Sequence, residues 1–203
     1  MGNYERDLTT YYDRQAEVRD AREPDPQRVA KRSEFIEHLK ESRRHDLLEI
    51  GCGTGVDGLA FKAAGIRYNG VDLSETSVRL ARHKQLEASV ASARELPFAD
   101  ETFDAGWTMS TLLHVANTDL YGVLTEIMRV LKPGSPLAVG LWSGSDSEGI
   151  NDADDHEPQR FFSRRSDETT LSLFEPHGTI RDFATWEHGQ DPGHYQYFII
   201  YKP

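Results

Sequence analysis

The residues most able to do chemistry cluster where an apolar run, Leu47-Leu48-Glu49-Ile50, opens into Gly51-Cys52-Gly53-Thr54-Gly55. Glycine at alternate positions permits positive φ and lets a ligand approach the backbone closely. A helix starting just beyond would aim unpaired N–H groups at that ligand. The spacing is G-x-G-x-G, not the G-x-G-x-x-G of a dinucleotide fold, and the G-x-x-x-x-G-K-[ST] phosphate loop is absent. Pyrophosphate and triphosphate are therefore not the natural guests. Asp72 ends the next apolar run, where a carboxylate can accept both hydroxyl protons of a ribose. Its alternative role is that of an acid preceding a helix capped by Ser74. His114 closes the run Met109-Ser-Thr-Leu-Leu-His, and an imidazole titrating near neutrality suits proton transfer. The alternative for His114 is pocket lining, and His156 is a more distant candidate for the same task.

Alternating elements must hold these groups. Asp46–Ile50, Ile66–Val71, Ala88–Ser92, Phe103–Met109 and Pro136–Trp142 read as strands. Helical spacing lies between most of them, as in Leu120, Val123, Leu124, Ile127 and Leu131. Such alternation predicts a parallel sheet covered on both faces. Thr179–Trp186 and His194–Tyr201 are joined too closely for a helical crossover and should pair antiparallel. Helices are expected over Asn3 to Arg22 and Gln27 to Ser42, the second with a narrow apolar stripe of Val29, Phe35, Ile36 and Leu39. Together they read as a cap. The expected organisation is one domain, 1–203, with a cap (1–45), a core (46–142), an acidic loop (143–165) and a C-terminal helix and strand pair (166–203).

The composition fits a globular chain: 203 residues, 37% hydrophobic, with 16 glycines. Lys and Arg number 23 against 34 Asp and Glu, a net charge of −11. An acidic surface disfavours nucleic acid and anionic membranes as partners. A single cysteine forms no internal disulfide, no apolar run is long enough to span a bilayer, and no secretory h-region is visible. These features predict a cytoplasmic protein, monomeric or homodimeric.

The motifs closely resemble those of class I S-adenosylmethionine-dependent methyltransferases over about Leu47 to Trp142, and more loosely to Pro203. LLEIGCGTG is similar to the family's first motif and GVDLS to its second; ARELPFADETFDAGW and MRVLKPGSPLAVG resemble the segments around the fourth and fifth strands. The resemblance implies a Rossmann-like α/β fold: a seven-stranded, mostly parallel sheet with an antiparallel last strand, helices on both faces and an N-terminal helical cap. It also implies S-adenosylmethionine as cofactor and S-adenosylhomocysteine as product. Glu49, Gly51, Cys52 and Gly53 would line the methionine end, Asp72 the ribose, and Leu73, Ala93, Arg94 and Leu96 the adenine. Met109 and a cap tyrosine, Tyr12, would complete the cofactor site, with Tyr11 its neighbour. Ser92 stands where many members carry Asp, so its Oγ or the backbone of Ala93 and Arg94 would take over the contact to the adenine amino group.

Methyl transfer from a sulfonium needs alignment, exclusion of water and, for some nucleophiles, a base. His114 is the expected base and a small molecule the expected acceptor, methylated on oxygen or nitrogen. No metal is expected. The segment from Ser143 to Arg160 carries Asp146, Glu148, Asp152, Asp154, Asp155 and Glu157. It reads first as a solvated loop, and secondarily as a lid that selects a cationic acceptor or binds a divalent metal. Arg19, Arg22 and Arg160 are candidates for holding an anionic acceptor. Trp107, Trp142 and Trp186 are expected in the core or at its rim. The alternatives are an NAD-type oxidoreductase, which the third glycine's position disfavours, and a non-catalytic cofactor-binding domain.

Overall fold

A computed structural model describes residues 3–152, 154, 156–187 and 193–203 of the chain. Helices α1 (Asn3–Asp20) and α2 (Pro26–Glu41) precede β1 (Asp46–Ile50), α3 (Val56–Ala63), β2 (Arg67–Asp72), α4 (Glu75–His83) and β3 (Glu87–Val90). Then come β4 (Ala105–Met109), α5 (Asn117–Val130), β5 (Pro136–Trp142), β6 (Ser147–Ile150), β7 (Phe161–Arg164), α6 (Asp167–Phe174), β8 (Thr179–Glu187) and β9 (His194–Tyr201). Seven strands form one sheet in the order β3-β2-β1-β4-β5-β9-β8. The first five pair in parallel, while β9 runs antiparallel to both β5 and β8. The order reverses between β1 and β4, and the crevice outside their carboxyl ends is where such sheets bind ligands.

Strand alternation splits the core in two. Leu48, Ile50, Leu137, Val139, Phe198 and Ile200 face α5 and α6, whereas Leu47, Ala138, Tyr197 and Ile199 face α2, α3 and α4. Apolar side chains on both faces are what a sheet covered on both sides requires. Ser74 caps α4 as its sequence position suggested: its Oγ accepts from Ser77 N at 3.0 Å.

Three expectations need correction. First, α2 is not a cap but a helix of the sandwich. Phe35 and Leu39 are fully buried, and the Phe35 ring lies 5.4 Å from Trp107. Arg28 and Arg32 on the same helix both pair with buried Asp57 of α3, at 2.6 and 2.7 Å, and Trp107 Nε1 of β4 donates to that carboxylate at 2.8 Å. Burial opposes ionisation of Asp57, but these partners hold its carboxyl below the usual range. Second, the acidic segment contains the antiparallel pair β6 and β7. Third, β3 stops at Val90, which frees Ser92 to turn toward α1.

Candidate active site

The turn after β1 is built around strained backbone that glycine tolerates. Gly51 has φ +74°, and a Cβ there would meet Thr111 Oγ1 at 2.0 Å; Gly53 has φ +51° and open space where its Cβ would stand. Asp72 faces this turn. Its Oδ2 accepts from Gly53 N at 2.8 Å and its Oδ1 from Ser74 N at 2.9 Å. Burial raises the Asp72 carboxyl above its ordinary range, and those two N–H groups act against the rise. Asp72 thus takes the helix-start role through Ser74 N, and it also lines a cavity.

That cavity, about 340 Å³, lies over the carboxyl ends of the strands. Strand order dictates its layout. Leu73, Ser92, Ala93 and Arg94, which follow β2 and β3, line one end. Gly51, Cys52, Gly53 and Asp72 line the middle. Met109, His114, Trp142, Trp186 and Tyr195, from β4, β5, β8, β9 and the turn after β4, line the other end.

Helix α1 roofs the cavity. Glu5, Leu8, Tyr12 and Arg19 recur at helical spacing on the face that lines it. Asp13 Oδ1 accepts from Ser74 Oγ at 2.7 Å and Thr76 N at 2.9 Å, Asp20 pairs with Lys84, and Tyr4 Oη donates to Asp119 at 2.6 Å. Burial first, and then Asp119, push the Tyr4 hydroxyl up to about 12.

His114 is buried, with both ring nitrogens engaged. A carbonyl only accepts, so Nδ1 must donate to Phe161 O at 2.7 Å. Nε2 is then the acceptor and takes the Tyr12 hydroxyl proton at 2.7 Å. Burial, helped by Arg160 and Arg19, pushes the His114 imidazole down to about 3, so it is neutral at neutral pH. The accepting nitrogen is therefore occupied by Tyr12, while the His114 ring itself lines the cavity.

Tyr12, Gly51, Cys52, Gly53, Asp72, Leu73, Ala93, Arg94, Met109 and His114 are all brought to the cavity wall. Glu49 is not. Alternation along β1 turns it to the α2–α3 side, where it accepts from Tyr68 Oη at 2.6 Å and burial pushes its carboxyl well above the usual range. Leu96 packs into the core. His156 is exposed, with its ring 6.4 Å from Tyr11, and lies outside the lining. Trp107 is core and Trp142 and Trp186 pack at its rim, as expected, and the latter two also line the cavity. Burial also pushes the Cys52 thiol up, which keeps it from acting as a nucleophile.

Sequence reading missed Glu5, Thr111 and Tyr195. Helical spacing from Tyr12 back to Leu8 and Glu5 is the signal that could have found the first. Tyr195 pairs with Trp142 across β5 and β9, so a strand register would have found it.

The acidic segment is held by its own acids. Asp146 accepts from Ser166 N and Thr169 Oγ1, Glu148 from Asn117 N and Ser163 Oγ, and Asp154 grips Arg160 Nη2 at 2.6 Å. These three are committed to structure, which removes them from any cation-selecting lid. Asp155 lies outside the described residues. Among the described residues no cluster of His, Cys, Asp and Glu could hold a metal ion. Arg160 is likewise taken, whereas Arg19 and Arg22 line the cavity and form no ion pair among the described residues.

Residues 48–139 match the methyltransferase domain family. The matched segment spans β1 to β5 with the glycine turn and Asp72, and its strand order and motifs are similar to those of class I S-adenosylmethionine-dependent methyltransferases. The chain is 34% identical over 115 residues to the O-methyltransferase rstn1 of Aspergillus nomiae, covering 52% of this chain and 50% of that protein. It is 35% identical over 103 residues to the 27-O-demethylrifamycin SV methyltransferase of Amycolatopsis mediterranei, covering 46% and 37%. The matches span half or less of these relatives' own lengths. The fold is also that of the Burkholderia thailandensis 1,6-didemethyltoxoflavin-N1-methyltransferase, solved with its acceptor and S-adenosylhomocysteine. The TM-score is 0.65 at 18% identity, over 90% of this chain and 92% of that one. No helix among the described residues is long and apolar enough to cross a membrane.

Proposed function

We propose that the chain transfers a methyl group from S-adenosylmethionine to an oxygen or nitrogen of a small-molecule acceptor, as a cytoplasmic monomer or homodimer with no nucleic-acid partner. One observation carries the reading: a single cavity joins a glycine turn and its ribose-ready carboxylate to a tyrosine–histidine pair. The cradle fits the cofactor. Gly53 leaves open backbone beside Asp72, and each Asp72 oxygen keeps a lone pair after its backbone bond. Asp72 would hold the ribose, Gly51 to Gly53 the methionyl part, and Leu73 and Ala93 the base. The names of the two O-methyltransferase relatives, from a mould and an actinomycete, support a small acceptor bearing a hydroxyl.

When bound, S-adenosylmethionine supplies an electrophilic methyl group. The chain's own part is orientation and the exclusion of water. Trp142, Trp186 and Tyr195 wall the acceptor end and exclude water. Tyr12 Oη, which donates to His114 Nε2 and accepts from Arg160 Nη1 at 3.4 Å, keeps one lone pair for an acceptor O–H or N–H. An imidazolium in this burial is disfavoured, so His114 orients Tyr12 and does not store a proton. The expected base role of His114 thus gives way to positioning: His114 holds Tyr12, Tyr12 aims the acceptor, and the acceptor's proton leaves to solvent after methyl transfer. Tyr12→Phe, His114→Gln and the double variant test this with a methyl-labelled cofactor and a panel of phenols, alcohols and amines. Losses in the double variant no greater than in either single one support the pair, and independent, additive losses refute it. No turnover of any acceptor by a wild-type protein that binds S-adenosylhomocysteine would favour a non-catalytic domain.

A further inference from the structure

The end of the cavity past Leu73 has apolar walls, Val71, Leu73, Ala91 and Ala93, and one carboxylate, that of Glu5 from α1. Glu5 is only 6% exposed. Its Oε1 accepts from Ser92 Oγ at 2.9 Å and from Arg94 Nε at 3.0 Å. Its Oε2 takes no donor among the described residues, and Glu5 lines the cavity. Ser92 Oγ has less to offer: its proton goes to Glu5 and one of its two lone pairs accepts from Arg94 N at 3.1 Å, whereas Glu5 Oε2 keeps a full carboxylate oxygen. Arg94 is fixed in turn by Asp119 at 2.7 Å. A flat apolar slot ending in a braced acceptor oxygen suits a planar heterocycle that presents an exocyclic N–H.

We infer that Glu5 of the roofing helix, through Oε2, reads the amino group of the cofactor's adenine, with Ser92 and Arg94 positioning its carboxylate. This rests on S-adenosylmethionine occupying the cavity. It replaces the expectation that Ser92 or the adjoining backbone makes the contact. Discrimination then depends on α1, because the reader belongs to the roof and not to the sheet.

Calorimetry with S-adenosylhomocysteine and S-inosylhomocysteine, whose base carries a carbonyl oxygen in place of the amino group, tests this without turnover. The wild type should prefer the adenosyl ligand by about tenfold or more, since the inosyl oxygen would face the carboxylate. Glu5→Gln keeps an acceptor oxygen for Ser92 and Arg94 but offers an amide N–H to the slot, so the preference should fall to within about threefold or invert. Ser92→Ala should retain it, because Arg94 Nε still holds Oε1. Undiminished preference in Glu5→Gln, or its collapse in Ser92→Ala, would overturn the inference. A wild type that binds both ligands equally would do the same. A wild type that binds neither would overturn the cofactor reading beneath it.

Discussion

The middle of the cavity and its Tyr12–His114 end are made differently. The glycine turn and Asp72 depend on backbone: N–H groups of Gly53 and Ser74 fix the carboxylate, and the contributing residues lie within one strand–helix–strand unit. The Tyr12–His114 end depends on side chains from α1, the turn after β4 and the backbone of β7, separated by more than half the chain. A backbone-built site is set as soon as the β1–α3–β2 unit folds. A side-chain-built site needs the roof and the β6–β7 pair in place. A backbone-built middle thus stands between two ends that both take side chains from α1, Glu5 at one and Tyr12 at the other.

Substitutions can break or sharpen that contrast. The largest effect is expected at Asp57, beneath the turn. Asp57→Ala strands Arg28 and Arg32 beside a buried site and should cost about 3–5 kcal/mol by urea denaturation. A loss below about 1 kcal/mol would mean the turn does not rely on this brace. Next, Tyr12→Phe should cut turnover by about 10²-fold or more, while S-adenosylhomocysteine affinity changes less than about threefold. A comparable loss of affinity would erase the division between the middle and this end.

The pH dependence of stability comes third. The folded-state His114 pKa of about 3 lies below its ordinary 6.5. Between those values the unfolded chain binds the extra proton, so stability rises with pH across this window and is full above it. Wild-type Tm should fall from pH 6.5 toward 5 more steeply than that of His114→Gln; parallel curves would refute burial of a neutral imidazole. The smallest effect belongs to Ser74→Ala, which removes the α4 cap and should cost about 1 kcal/mol.

The same contrast explains what the sequence disclosed. The bounds of β1 and β5, the Ser74 cap and the antiparallel end of the sheet were legible, because each has a local signature: an apolar run, a hydroxyl before a helix, a connection too short for a crossover. The role of α2 was obscured because Arg28 and Arg32 share its inward side, and a charged pair meeting a distant Asp57 looks like solvent-facing surface. Strand β6, Ser-Glu-Gly-Ile, is exposed throughout and has no alternation to read; only its pairing with β7 defines it. Trp142 and Tyr195 meet at the cavity through strand pairing that no local pattern encodes, whereas Glu5 shares the helical spacing of Leu8 and Tyr12.

The account stands on S-adenosyl recognition by the glycine turn and Asp72. Isothermal calorimetry of S-adenosylhomocysteine and NAD against the wild type and Asp72→Ala tests it most directly. The predicted result is binding of the first ligand and not the second, weakened by about 1–3 kcal/mol in the variant. Equal affinity in both proteins, or preference for NAD, would contradict it.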